Sequence, residues 1–291
     1  MTTPQKSYPE LARAVGVNSL YVKREDLHPY GSHKGRSIPV MIDHYFKKGV
    51  RHFAISSSGN AALAAALHIK KLNENGTERI QLEILVGNKI TEHKLGKLTD
   101  LADFNISVMR FERPLQALTQ KTADGSIQSL RQSTDDTALL GYEALAEELA
   151  EIKDLRAVFI ATSSGTTAQA LAEYFLEKGK IVEIHIVQTT SCHPMAIEFV
   201  DSVPSEEESA ADAVVDATAH RKDALIALIK KTNGSGLIVS NEEIATAQEL
   251  LKKDAGIQTS PNGALALAGL IQAAFTGREW DGAVACIIGG E

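Results

Sequence analysis

The sequence predicts an α/β protein of two lobes built on largely parallel sheets. Three observations carry this expectation. Eight short apolar runs rich in β-branched residues are spread along the chain, helical patterns lie between most of them, and the 291 residues are 44% hydrophobic and 23% charged. Strand and helix alternating in this way is the pattern of a parallel sheet covered by crossover helices. The length and mixed composition suit two lobes of ordinary size.

In chain order the expected strands are LYVKRE from Leu20, RHFAIS from Arg51, IQLEILVG from Ile80, ISVMRF from Ile106, AVFIAT from Ala157, VEIHIV from Val182, GLIVS from Gly236 and AVACIIG from Ala283. AALAAALHIKKL after Gly59 is alanine-rich with apolar residues at helical spacing, and TAQALAEYFLEKG after Thr166 ends on a glycine stop. The polar stretch 126–137 breaks the pattern and is placed to precede a crossover between lobes. The acidic, serine-rich stretch 202–209 reads as a surface loop, since a short run of glutamates is ordinarily solvated.

Composition removes several classes of function. A net charge of -7 lacks the basic surface that phosphate-backbone binding needs, so no nucleic-acid partner is expected. Cys192 and Cys286 stand far apart and form no CxxC pair, which suggests neither a disulfide framework nor a thiolate metal site and fits a reducing cytoplasm. The first sixteen residues, MTTPQKSYPELARAVG, interrupt any apolar run with Pro, Glu and Gln, and no stretch approaches membrane-spanning length. HExxH is absent and the nine histidines are scattered, so no catalytic metal is expected.

Three segments carry chemistry. KREDLHPYGSHKGR, residues 23–36, ends a strand, turns through Pro29 and Gly31, and puts Lys34 near a helix start. The partial positive charge there opposes protonation of the amine and favours the neutral nucleophile. By itself Lys34 also reads as a solvated surface lysine. The second segment, SSSGN at 56–60, presents hydroxyls and backbone N–H groups at a helix start, an arrangement for an anion such as a carboxylate. One side chain would suffice for a plain helix cap, and the remaining donors ask for a ligand. The third, TSSGTT at 162–167, lies between an apolar strand and a helix and can cradle a phosphate. Neither GxxxxGK nor GxGxxG is present, so the phosphate is expected to be single and to belong to a molecule also held elsewhere.

Together these segments resemble the fold type II pyridoxal 5'-phosphate (PLP) enzymes, the tryptophan synthase β-subunit family, over nearly the whole chain. The family pattern K-x-E-x-x-x-P-x-G-S-x-K-x-R is matched by Lys23, Glu25, Pro29, Gly31, Ser32, Lys34 and Arg36, and its S-[SG]-G-N loop by Ser57, Ser58, Gly59 and Asn60. Its phosphate loop is matched by Ser163, Ser164, Gly165, Thr166 and Thr167. The resemblance implies two three-layer α/β lobes, a smaller one at 36–150 with the carboxylate loop and a larger one at 1–35 and 151–291 with the phosphate loop. It implies PLP as cofactor, Lys34 as the Schiff-base and catalytic lysine, and Asn60 at the cofactor's 3'-oxygen. Ser57, Ser58, Gly59 and Asn60 would receive the carboxylate of a small amino-acid substrate, Ser163, Ser164, Gly165, Thr166 and Thr167 would bind the cofactor phosphate, and the assembly would be a homodimer.

Within the family the later segments are most similar to threonine synthases: VQTTSCHPMA from Val187, the stretch from Ser235 through ALALAGL, and DTALLGYEALAEEL from Asp136. This implies conversion of O-phosphohomoserine to threonine and phosphate. A PLP lyase or synthase acting on serine, threonine or O-acetylserine is the alternative, as is a PLP-binding member without turnover. Three positions depart from the family. His33 and Gly35 flank the lysine where aromatic and acidic neighbours are usual. At the C-terminal CIIGGE, Ile288 stands where a Ser or Thr usually bonds the pyridine nitrogen, leaving Thr259 or Ser260 as substitutes. With the chain ending at Glu291, one wall of the site is expected to fall to a partner subunit or stay open.

Overall fold

The computed structural model describes residues 2–76, 78–203 and 208–290. They form two compact units: Met1–His28 with Tyr142–Glu291, and Pro29–Gly141.

The first unit opens with β1 (Gln5–Ser7), α1 (Pro9–Val15) and β2 (Ser19–Arg24). The second unit then runs α2 (Lys34–Lys47), β3 (His52–Ser56), α3 (Asn60–Asn75), β4 (Gln81–Gly87), α4 (Glu92–Thr99), β5 (Ile106–Phe111), α5 (Pro114–Lys121), β6 (Gln128–Ser129) and α6 (Thr137–Leu140). The chain completes the first unit with α7 (Glu143–Ala150), β7 (Leu155–Ala161), α8 (Thr166–Glu177), β8 (Glu183–Thr189), α9 (Lys222–Lys231), β9 (Gly236–Val239), α10 (Asn241–Ala255), α11 (Pro261–Phe275) and β10 (Ala283–Ile288).

The first unit's sheet has the order β1-β2-β10-β7-β8-β9, parallel throughout except for the edge pair β1 and β2. Every residue of β10 is buried, as expected of a central parallel strand covered on both faces. On one face Leu20, Val22, Phe159, Val187 and Val284 pack with α1, α10 and the apolar side of α11. On the other, α8 lies against β8 and is flanked by α7 and α9. Ser240 and Glu243 close a reciprocal capping box at the start of α10, satisfying donors that the first helical turn leaves open.

The second unit's sheet has the order β5-β4-β3-β6, all parallel. Phe53, Ile55, Leu82 and Ile84 face Ile38, Met41 and Ile42 of α2 and Ala62, Ala65 and Ile69 of α3. The alternate residues Ala54 and Leu85 meet Leu118 of α5, which makes three layers. This is the period-two alternation of a strand placed between two helical layers.

All eight expected strands are present, and β1 and β6 are additional. Both are short polar edge strands that gain backbone pairing without burying apolar side chains, so no apolar pattern marks them. Of the expected 202–209 loop, residues 204–207 lie outside the described residues and the rest has no regular structure. The units divide after His28 and after Gly141. Tyr30 and Gly31 pack on α3, drawing 29–35 into the second unit. α7 joins the first unit because Glu148 pairs with the buried Lys23 of β2 and its carbonyl accepts from Gln5 Nε2 at 2.9 Å.

A buried polar cluster joins β7, the start of β8 and the residue ahead of β9. His185, with no solvent exposure, stacks on Phe159 at 4.4 Å, contacts Glu183 through Nε2 at 3.0 Å and Ser235 Oγ through Nδ1 at 2.8 Å. Burial lowers its pKa and keeps the imidazole neutral, so Nε2–H donates to Glu183 and Nδ1 accepts from the Ser235 hydroxyl. Burial opposes ionisation of Glu183, but donors from His185 and Trp280 and the charge of Arg278 outweigh it and hold the carboxylate below its usual range.

Both shifts have one sign: the unfolded chain binds more protons than the folded one, so acid removes stability. The loss is expected to begin below roughly pH 6.5 for His185 and to continue below roughly 4.3 for Glu183. Glu183→Gln should cost about 1–3 kcal/mol near neutral pH, with the gap to wild type closing as pH falls through the carboxylate's range. Urea unfolding across pH measures this, and a gap independent of pH would refute it.

Candidate active site

The first two motif segments lead into helices of the second unit. β3 delivers its chain into residues 57–59, and α3 begins at Asn60. Ser57 Oγ accepts from Gly59 N at 3.2 Å, so this hydroxyl shapes the turn while keeping its own proton to donate. The Ser58 hydroxyl has no protein partner among the described residues, and the first-turn N–H groups of α3 have no helical acceptor.

Lys34 is the first residue of α2. Its run is fixed from both sides: Gly31 takes the left-handed conformation at φ +77, where a side chain is strained, and the buried Ser32 accepts from Lys34 N at 3.3 Å. Upstream, Tyr30 Oη is 3.0 Å from His68 Nδ1, and His68 Nε2 is 2.9 Å from Asp43 Oδ1. That chain ties the approach loop to both α2 and α3, on which Lys34 and Asn60 stand. The amine of Lys34 is half-buried and has neither hydrogen bond nor ion pair among the described residues. The departures His33 and Gly35 flank it, half-buried and buried respectively.

The third loop lies in the first unit, after β7. The chain turns at Gly165, φ +83, and enters α8. A Cβ there would stand 3.0 Å from Leu225 Cδ2 and 3.3 Å from Met195 Sδ, so only glycine combines this turn with that packing. Ser164 Oγ and Thr166 Oγ1 are 2.9 Å apart. Ser163 Oγ accepts from the amides of Val215 and Asp216, both at 3.2 Å, which anchors the 213–216 segment beside the loop. A left-handed turn leading into a helix gathers N–H groups and hydroxyls around one concavity, which suits a phosphate dianion.

The loop occupies the point where the sheet order reverses, because β8 continues on one side of β7 and β10 flanks the other. Such a reversal opens a crevice at the carboxyl ends of the strands. Ile288 ends β10 there, buried, and a Cβ built on Gly263 would meet Ile288 Cγ2 at 3.0 Å and Thr259 Oγ1 at 1.9 Å. The Thr259 hydroxyl therefore sits in the same corner as Ile288, without a hydrogen-bond partner among the described residues. Ser260 Oγ is already engaged, capping α11 through Gly263 N at 3.3 Å.

The sequence pattern that defines the pyridoxal-phosphate dependent enzymes matches residues 2–290. The chain belongs to that family. The threonine synthase of Methanosarcina acetivorans is 24% identical over 99% of this chain and 74% of its own length. A PLP-dependent aspartate racemase superposes with a TM-score of 0.83 at 17% identity, covering 100% of this chain and 90% of its own. The processed threonine deaminase isoform 2 from Solanum lycopersicum gives 0.81 at 20% identity, covering 100% and 79%.

The cofactor of this family is PLP, and the loop at 163–167 fits its phosphate: the left-handed turn at Gly165 leads into α8, whose first N–H groups stand with the paired hydroxyls of Ser164 and Thr166. Ile288 itself offers no hydrogen-bonding side chain to a ring nitrogen, and the nearby hydroxyl is that of Thr259. Among the described residues no group of three or more His, Cys, Asp or Glu is placed to hold a metal, and no helix is long and apolar enough to cross a membrane. Two features escaped sequence reasoning: the Tyr30–His68–Asp43 chain, whose members are scattered in sequence, and the prior engagement of the Ser57 and Ser163 hydroxyls.

Proposed function

We propose that the protein catalyses PLP-dependent elimination and replacement on a small amino acid, in the manner of threonine synthase, converting O-phosphohomoserine and water to threonine and phosphate. The observation that carries this reading is the Lys34 amine, half-buried and unpaired at the start of α2 within a motif that matches the family. The likeness to threonine synthase along 99% of the chain supports the choice of substrate.

In this reading Lys34 Nζ would bond the cofactor's aldehyde carbon, Asn60 its 3'-oxygen, and Ser163, Ser164, Gly165, Thr166 and Thr167 its phosphate. The bound cofactor supplies an electron sink for negative charge at the substrate's α-carbon. Ser57, Ser58, Gly59 and Asn60 receive the substrate carboxylate on hydroxyls and on N–H groups at the positive end of α3. Lys34 Nζ would serve as the base for the α-proton of the bound substrate. It would also carry the proton that moves from the β-carbon to the γ-carbon as phosphate leaves, and would return the α-proton once the hydroxyl of water has added at the β-carbon. Thr259 Oγ1 is the hydroxyl available where Ile288 offers none. We read the enzyme as a cytoplasmic homodimer.

Phosphate release from O-phosphohomoserine by the PLP-loaded protein, with threonine formed in equal amount, tests the assignment. Turnover of serine, threonine or O-acetylserine in its place would transfer the same residues to another lyase or synthase. The apolar Ile288 favours a second reading, a member that binds PLP without turnover, and a visible band unchanged by every amino acid would select it.

A further inference from the structure

In the second unit β3 and β6 run parallel, with Phe53 opposite Gln128 and Ala54 opposite Ser129, and Leu130 N donates to Ala54 O at 2.9 Å. The two strands therefore end side by side, about 4.8 Å apart. β3 leads into 57–60 and β6 into a tight turn begun by Arg131, whose carbonyl accepts from Thr134 N at 3.3 Å. Arg131 is half-buried, and among the described residues its guanidinium has no hydrogen bond, ion pair or ring contact. Every other arginine there that is not exposed has a partner. Asp135, the nearest carboxylate in sequence, is bonded to Tyr45 Oη at 2.8 Å and Thr137 N at 2.9 Å.

Partial removal of a guanidinium from water without a partner is unfavourable, and its planar fork matches the two oxygens of a phosphate or carboxylate. We propose that Arg131 binds an anionic group on the substrate's side chain, so that the enzyme selects amino acids ending in a phosphate monoester or a carboxylate. This rests on the reading that residues 57–60 take the α-carboxylate. One end of the substrate would then be held by the loop after β3 and the other by the turn after β6.

The test is a titration of PLP-loaded protein, followed by its visible absorbance, with two unreactive ligands of one skeleton, 2-amino-5-phosphonopentanoate and norvaline. Wild type is expected to bind the phosphonate at least roughly tenfold more tightly. Arg131→Met should erase that preference, weakening the phosphonate roughly 10- to 100-fold while leaving norvaline unchanged, and Arg131→Lys should restore part of it. PLP uptake by each variant reports that it has folded, and Arg131→Gln gives the same reading should the methionine variant fail. Equal weakening of both ligands, or a preference that survives Arg131→Met, overturns the assignment. Coloured wild-type protein that binds both ligands equally sinks this proposal alone, whereas coloured protein that binds neither sinks the amino-acid reading as well.

Discussion

Lys34→Ala is expected to abolish covalent attachment of the cofactor and to lower turnover at least roughly a thousandfold, since the covalent anchor and the base at the α-carbon are lost together. Nothing nearby can assume both roles. The neighbours in sequence are His33, Gly35 and Arg36, and a guanidinium stays protonated near neutral pH. The phosphate loop is untouched by the substitution, so the variant should still bind PLP, more weakly and reversibly. Mass spectrometry after hydride reduction is the measurement. Wild type should carry one cofactor on the peptide containing Lys34, and the variant should carry none there. A label found on another lysine of wild-type protein would move the site and overturn the proposed chemistry.

That Lys34 could be singled out from sequence follows from the kind of signal it belongs to. Loops that join a strand to a helix at the carboxyl edge of a parallel sheet are built from consecutive residues, so SSSGN and TSSGTT carry their donors in one short span. The strands were legible because burial on both faces forces continuous apolar runs, as in β10. Features that depend on which strands become neighbours were not legible. Gln128 and Ser129 look like part of a polar break, yet two residues of parallel pairing bring Arg131 beside the loop after β3. Ser57 and Ser163 illustrate another limit. A serine in a binding loop looks like a free donor in sequence, whereas Ser163 Oγ already accepts two amides from a segment more than fifty residues downstream. Glu148 likewise belongs with the first unit through a lysine 125 residues earlier.

The same lysine sets the largest expected loss of stability. Lys23 matches the family motif, but its ammonium, 1% exposed, faces inward to Glu148 and to Thr3 O at 3.0 Å. Thr3 N also reaches Glu148 Oε2 at 3.4 Å, so β2, α7 and the chain start are joined through one buried pair. Glu148→Ala would leave the ammonium buried with only a carbonyl, an expected cost of about 3–5 kcal/mol. Replacing both partners by apolar residues, as in Lys23→Met with Glu148→Leu, removes both desolvation penalties and should recover most of that loss. Urea unfolding of PLP-saturated protein compares the single and double variants. A Glu148→Ala cost below about 1 kcal/mol, the range of an exposed pair, would show that water reaches Lys23 and that the pair does not hold the first unit together. If instead the single variant is strongly destabilised and the double variant recovers, the motif lysine serves the fold, and Lys34 alone of the two serves the chemistry.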